Sequence, residues 1–215
     1  MRVFLIHGLG RTPASMWLLG QRLGAAGHPA KLFGYWVTQN SLEEIASRFA
    51  SEIRSTMAAE EGLGAPYAVI GHSLGNIITR LALPLLPPGF SRFIMLAPPN
   101  HSPAIARFLK DNPVFRFAAG DTGQSLATDE FYENLPVPEV PSLIIAGTRG
   151  PTWSQFSPWE ESNDIVVRVD EARLEGIPLL EVPAAHTFIM NRNDVTQTCL
   201  DFLETGVYSG ASAED

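Results

Sequence analysis

Cysteine is nearly absent from this 215-residue chain: Cys199 stands alone, which excludes an intrachain disulfide and any cysteine-based metal site. Its place in an apolar helical pattern marks it as a buried thiol, not a nucleophile. Basic runs are missing too. With a formal net charge of -8 and no cluster of Lys or Arg, the chain offers no footprint for nucleic acid or an anionic membrane surface. A small neutral or acyl substrate fits that balance better. No window approaches the roughly 18 uninterrupted apolar residues of a spanning helix, so no stable membrane insertion is expected. The apolar run Val3 to Ile6 is too short for a leader and is followed by His7-Gly8 instead of a cleavage site, which makes the expected location cytoplasmic. There is no internal repeat. What is present, 45% hydrophobic and only 18% charged residues, suits one domain over 1–205 with a substantial core. The small, polar, acidic stretch 206–215 is expected to be disordered.

The chain is organised around Tyr67 to Ile78, where a β-rich apolar run meets Gly71-His72-Ser73-Leu74-Gly75 and then a helical apolar pattern. G-x-S-x-G between strand and helix is the pattern of a nucleophile elbow, with the serine at a strained turn and glycines two residues either side keeping that turn clear. Other segments alternate in kind. Strands are expected at Val3 to Ile6, Lys31 to Trp36, Tyr67 to Ile70, Arg92 to Leu96, Ser142 to Ala146 and Leu179 to Val182. Helices are expected at Ser15 to Ala26, from Ser41 to Gly62 behind the capping box of Ser41 and Glu44, at Asn76 to Leu86 and at Asp194 to Leu203. Such alternation implies an α/β protein with a doubly wound, mostly parallel six-stranded sheet. Residues 98–140 read as an irregular, cap-like excursion rich in proline and aromatics, with short helices at Ala104 to Lys110 and Asp129 to Leu135. It either covers the site or is ordinary crossover packing.

In a parallel sheet, ligands bind at the strands' carboxyl edge, and the turns there supply the chemistry. Ser73 needs a base whose tautomer an acid fixes. Of five histidines, His7 lies in the His7-Gly8-Leu9-Gly10 turn, His72 inside the elbow pointing away from Ser73, His28 far from the edge and His101 at the start of the excursion. His186, between the last strand and last helix, is the candidate base. Asp164, 22 residues earlier, is the leading acid, with Glu160, Glu161 and Asp170 nearby as alternatives. The oxyanion of a tetrahedral intermediate would be held by the backbone N–H groups of Leu74 and Leu9. A dinucleotide site is a poor reading of Gly8-x-Gly10, because no third glycine opens a helix at the required offset.

Taken together, these motifs resemble those of the α/β-hydrolases, and in particular of the small bacterial lipases and esterases. His7-Gly8-Leu9-Gly10 is similar to that group's oxyanion turn, Gly71 to Gly75 to its elbow, Asn163-Asp164 to its acid loop and Ala185-His186 to its histidine loop. Members commonly place Gly after the acid, where this chain has Ile165. The resemblance implies a minimal hydrolase that cleaves carboxylic esters through an acyl-enzyme, with Ser73, His186 and Asp164 as its triad and with no metal or organic cofactor. Trp153, Phe156 and Trp159 either line an acyl pocket or belong to the core, and Leu85-Leu86-Pro87-Pro88 either adds lipid-facing surface or likewise belongs to the core. Thioesterase or acyltransferase chemistry uses the same triad, and a silent scaffold that binds a ligand is the reading from another class.

Overall fold

The computed structural model describes residues 1–104, 128–151 and 161–208. Six strands, β1 (Arg2–Ile6), β2 (Ala30–Phe33), β3 (Tyr67–His72), β4 (Phe90–Leu96), β5 (Ser142–Gly147) and β6 (Leu179–Val182), form one sheet in the order β2-β1-β3-β4-β5-β6. Every pairing is parallel. The chain builds β2 on one side of β1 and then all later strands on the other, so the order reverses between β1 and β3. Crevices open at the carboxyl ends of strands at such a switch point. Ser73 follows β3 and the Gly8 to Gly10 turn follows β1.

The central strands are apolar on both faces, as burial between two helical layers requires. Phe4, Ile6, Val69, Phe93, Met95 and Ile144 pack on one side against α2 (Leu42–Glu60) and α3 (Leu74–Ala82). Their neighbours Val3, Leu5, Ala68, Ile70, Ile94 and Ile145 pack on the other against α1 (Trp17–Ala25) and the last helix, Asn193–Thr205. Cys199 is among these, fully buried, and burial pushes its thiol up to about 12. It is an inert core residue.

Several boundaries differ from the sequence expectation for local reasons. The second strand ends at Phe33 instead of Trp36, because Gly34 and the turn beyond take the chain off the sheet and leave Trp36 exposed. The helix after the elbow begins at Leu74 and gives way to a 3-10 turn at Leu83–Leu85, where Pro84 cannot continue the hydrogen-bond ladder. A similar turn, Pro13–Met16, precedes α1. In α2 the capping box forms as expected, Ser41 Oγ accepting from the Glu44 N–H and the Glu44 carboxylate accepting from the Ser41 N–H. At the start of the 206–215 stretch, Gly206, in the left-handed region at φ 70°, caps the last helix, and Tyr208 packs against the core; positions after 208 lie outside the described residues.

Of the 98–140 excursion, the described parts are its two ends, including α4 (Asp129–Glu133). Both ends are tied to the sheet's helical layer. The buried Arg80 of α3 donates to the carbonyls of Leu135 and Pro136, each at 2.9 Å, and to Asn100 Oδ1 at 3.2 Å. Burial brings its pKa down to about 10, which still leaves it charged at neutral pH. Asn100 donates to the Ala172 carbonyl at 2.8 Å in α5 (Val169–Ala172), and Glu171 accepts from the Ala104 N–H at 2.7 Å. The expected helix from Ala104 to Lys110 lies outside the described residues past its first position.

Candidate active site

At the carboxyl edge, three loops deliver three side chains into one hydrogen-bonded line. Ser73 Oγ lies 2.9 Å from His186 Nε2, and His186 Nδ1 lies 2.7 Å from Asp164 Oδ2. Asp164 is 1% exposed and His186 7%. An ionised carboxylate can only accept, so it sets the tautomer: Nδ1–H donates to Asp164, and Nε2 is free to accept from the serine hydroxyl.

Each residue is held there by its own local structure. Ser73 sits at φ 52° and ψ -122°, a conformation uncommon outside glycine. Its N–H is fixed to the Leu96 carbonyl of β4 at 3.0 Å. The elbow's tightness depends on Gly75, where an added Cβ would meet the Ile6 carbonyl at 2.5 Å and that of His7 at 2.8 Å. Asp164 lies in a turn held by side chains. Its Oδ1 accepts from the Val166 and Val167 N–H groups at 3.0 and 2.8 Å. The buried Asn163 accepts from the Ile165 N–H at 2.9 Å and donates to the carbonyls of Pro151 and Glu161. The departure noted at Ile165 now has a geometry: φ is 93°, a region that favours glycine and is strained for a β-branched residue. His186 is tied to the acid turn twice, since its own N–H donates to the Asp164 carbonyl at 2.9 Å.

The His7 to Gly10 turn packs directly on the elbow. A Cβ at Gly8 would stand 2.9 Å from that of Ser73, so only glycine admits this approach. His7 stacks on Tyr35 with ring centroids 4.3 Å apart and donates from Nδ1 to the Gly8 carbonyl at 2.9 Å. The Tyr35 hydroxyl donates to the His7 carbonyl at 2.8 Å. Burial holds the His7 pKa below its ordinary value, which keeps the ring neutral. The turn is thereby anchored to the segment that follows β2, and Leu9 lines the cavity beside Ser73. Leu74 opens α3 on the other side, where the first N–H groups of a helix have no intrahelical acceptor.

A cavity of about 260 Å³ joins these parts, lined by Gly8, Leu9, Ser73, Leu74, Val166 and His186 among others. Pro99, Pro103 and Tyr132 close it from the ends of the excursion. Trp153, Phe156 and Trp159 lie outside the described residues, as does Glu160. The other candidates fall elsewhere: Glu161 and His101 are exposed and outside the cavity lining, Asp170 pairs with Arg168, and His28 sits beside the chain's amino group. Leu86, Pro87 and Pro88 line a separate groove just before β4, at the sheet's amino end. That is the edge opposite Ser73.

Sequence reasoning missed two positioning residues. His72 does avoid Ser73, yet its Nε2–H donates to the His186 carbonyl at 2.9 Å, linking the elbow to the histidine loop. Burial is the main reason its pKa lies well below the ordinary range, with the neighbouring His186 adding to it. A polar ring ending a fully apolar strand had to find a partner, and that was the available signal. Asn163 gave a weaker one, because asparagine beside a candidate acid reads equally well as an ordinary turn residue.

Among solved structures, the lipase BlEst2 of Bacillus licheniformis in its mature form superposes with a TM-score of 0.69 at 16% identity, over 96% of this chain and 92% of that one. The Pyrococcus furiosus esterase Pf2001 gives 0.64 at 15%, over 94% and 82%. A Xanthomonas campestris protein of the alpha/beta hydrolase superfamily gives 0.59 at 15%, over 95% and 98%. No protein-family model and no curated protein matches the sequence. With its six parallel strands and flanking helices, the chain has the α/β-hydrolase fold.

Proposed function

We propose that this protein is a serine hydrolase that cleaves carboxylic esters through an acyl-enzyme. The reading rests above all on the line of hydrogen bonds from Ser73 Oγ through His186 to Asp164 at 2.9 and 2.7 Å. In the proposed reaction, Ser73 Oγ attacks the ester carbonyl carbon as His186 Nε2 takes its proton. The resulting imidazolium is held by Asp164, and the carbonyl oxygen, now an anion, is received by the N–H groups of Leu9 and Leu74. Loss of one such donor costs about 3–4 kcal/mol in hydrolases where it has been removed. Collapse breaks the bond to the leaving alcohol, which takes the proton from His186. Water, deprotonated by the same nitrogen, then attacks the acyl-serine carbonyl carbon, and collapse breaks the bond to Ser73 Oγ, which takes the proton back from His186 as the acid leaves. Asp164 stays ionised throughout.

The apolar walls formed by Leu9, Leu74, Val166 and Val167 support an acyl group as the bound moiety. Similarity to a lipase and an esterase supports the same chemistry. Hydrolysis of 4-nitrophenyl esters from acetate to palmitate, by wild type and Ser73→Ala, tests the reading. Wild-type turnover is expected to fall about 10⁵- to 10⁶-fold in the variant, and the preferred chain length separates esterase from lipase. Equal rates in both proteins, or no turnover of any ester, would overturn it.

A further inference from the structure

The cavity beside Ser73 holds a cation that the mechanism does not use. Arg11 directly follows the His7 to Gly10 turn and lines the cavity together with Leu9, Ser73 and His186. Among the described lining residues it is the one with a fixed charge, since no Asp or Glu borders the space. Its charge reaches inward, adding to the burial that keeps His7 and His72 neutral. Yet among the described residues its side chain has no hydrogen-bond or ion-pair partner. The other described arginines bind carboxylates, amides, hydroxyls or carbonyls, as with Arg2 on Glu60, Arg22 on Asn191 and Arg192 on Asp194. The exception is Arg149, which is exposed and lies away from this cavity.

A half-buried guanidinium is seldom left without an acceptor, because its five donors are costly to strip of water. In a protein with a net charge of -8, partners for it are plentiful. None of the described ones lines this cavity. A planar fork at the rim of a largely apolar space, one residue beyond the oxyanion turn, matches the two oxygens of a carboxylate or phosphate. Low local polarity strengthens such a pairing relative to water.

We propose that Arg11 binds an anionic group carried by the substrate itself, so that the natural ester is one bearing a carboxylate or a phosphate within reach of the scissile bond. This builds on the ester-hydrolase reading and narrows it. The neutral substrate suggested by overall charge is replaced by an amphiphile whose acyl group fills the apolar walls and whose anion meets the Arg11 guanidinium beside them.

Two matched pairs of esters test the assignment. Mono-4-nitrophenyl glutarate against 4-nitrophenyl butyrate places the anion on the acyl side, and butyryl glycerol 3-phosphate against monobutyrin places it on the alcohol side. In wild type, kcat/KM is expected to favour the anionic member of at least one pair by about tenfold or more, the scale of a charge-assisted bidentate contact. In Arg11→Gln that ratio collapses toward one, and in Arg11→Lys it is intermediate. A wild-type ratio near one in both pairs, or a ratio unchanged in Arg11→Gln, overturns the assignment while Ser73-dependent hydrolysis of the neutral esters still stands. Absence of Ser73-dependent hydrolysis of all four esters overturns the underlying reading and this one with it.

Discussion

The elbow at Ser73 and the acid turn at Asp164 both force a non-glycine residue into positive φ, 52° at Ser73 and 93° at Ile165, but they hold it by different means. At the elbow the backbone is pinned by closeness: α3 starts so near β1 that Gly75 has no room for a Cβ, and the Ser73 N–H is taken by β4. At the acid turn the pinning is done by side chains. Asn163 and Asp164 between them accept three backbone N–H groups, Gly147 and Gly150 leave room for these two side chains, and the backbone strain is carried by Ile165. The elbow is set chiefly by close backbone approach, with Asn76 donating to the Ser73 and Leu96 carbonyls, and the acid turn chiefly by side-chain hydrogen bonds.

That contrast can be broken most sharply at Asp164. Asp164→Asn retains an oxygen for the Val166 and Val167 N–H groups but can present its amide to His186 as a donor, disfavouring the productive tautomer. A fall in kcat of about 10⁴-fold is expected, with a melting temperature close to wild type. A large loss of stability would show that the charge, not hydrogen-bond geometry, holds the turn. Next in size is Gly75→Ala, which should cost about 3 kcal/mol or more in denaturant unfolding, because a rigid backbone carbonyl must move to admit the methyl. A cost below about 1 kcal/mol would mean that the elbow is looser than its packing implies.

Acid treatment separates the two regions through His72. Its folded pKa lies below the ordinary 6.5, so its contribution is fully present above pH 6.5. It is lost as pH falls, when the unfolded chain takes up a proton that the folded elbow refuses. The slope reaches about 1.4 kcal/mol per pH unit for one such group. His72→Gln should therefore show a shallower acid limb than wild type in stability measured from pH 7 to 4, and superimposable limbs would contradict this. The smallest effect is expected at Ile165. Replacing it by Gly relieves the positive φ but frees the unfolded chain, so a net gain of about 1 kcal/mol is predicted, and a loss would show that the exposed side chain contributes packing.

The same difference explains what the sequence made legible. Gly71, Ser73 and Gly75 announce the elbow because only those residue types fit its geometry, and Val3 to Ile6 or Ser142 to Ala146 announce buried parallel strands because both faces must be apolar. His186 stood out as the candidate base from its position after the last strand, and the structure brings it beside Ser73. Asp164 was harder, since side-chain hydrogen bonds leave no fixed spacing and Glu161 and Asp170 stand close by in sequence. Links such as His72 to the His186 carbonyl or Arg80 to the Leu135 carbonyl join residues 55 or more positions apart, which local pattern does not carry.

The central claim is that Ser73 is a nucleophile activated by His186. Incubation with diethyl 4-nitrophenyl phosphate, followed by peptide mapping by mass spectrometry, tests it directly. A single diethylphosphoryl adduct on Ser73 is predicted, absent from Ser73→Ala and formed far more slowly by His186→Ala. No adduct, an adduct at another residue, or equal rates in wild type and His186→Ala would contradict it.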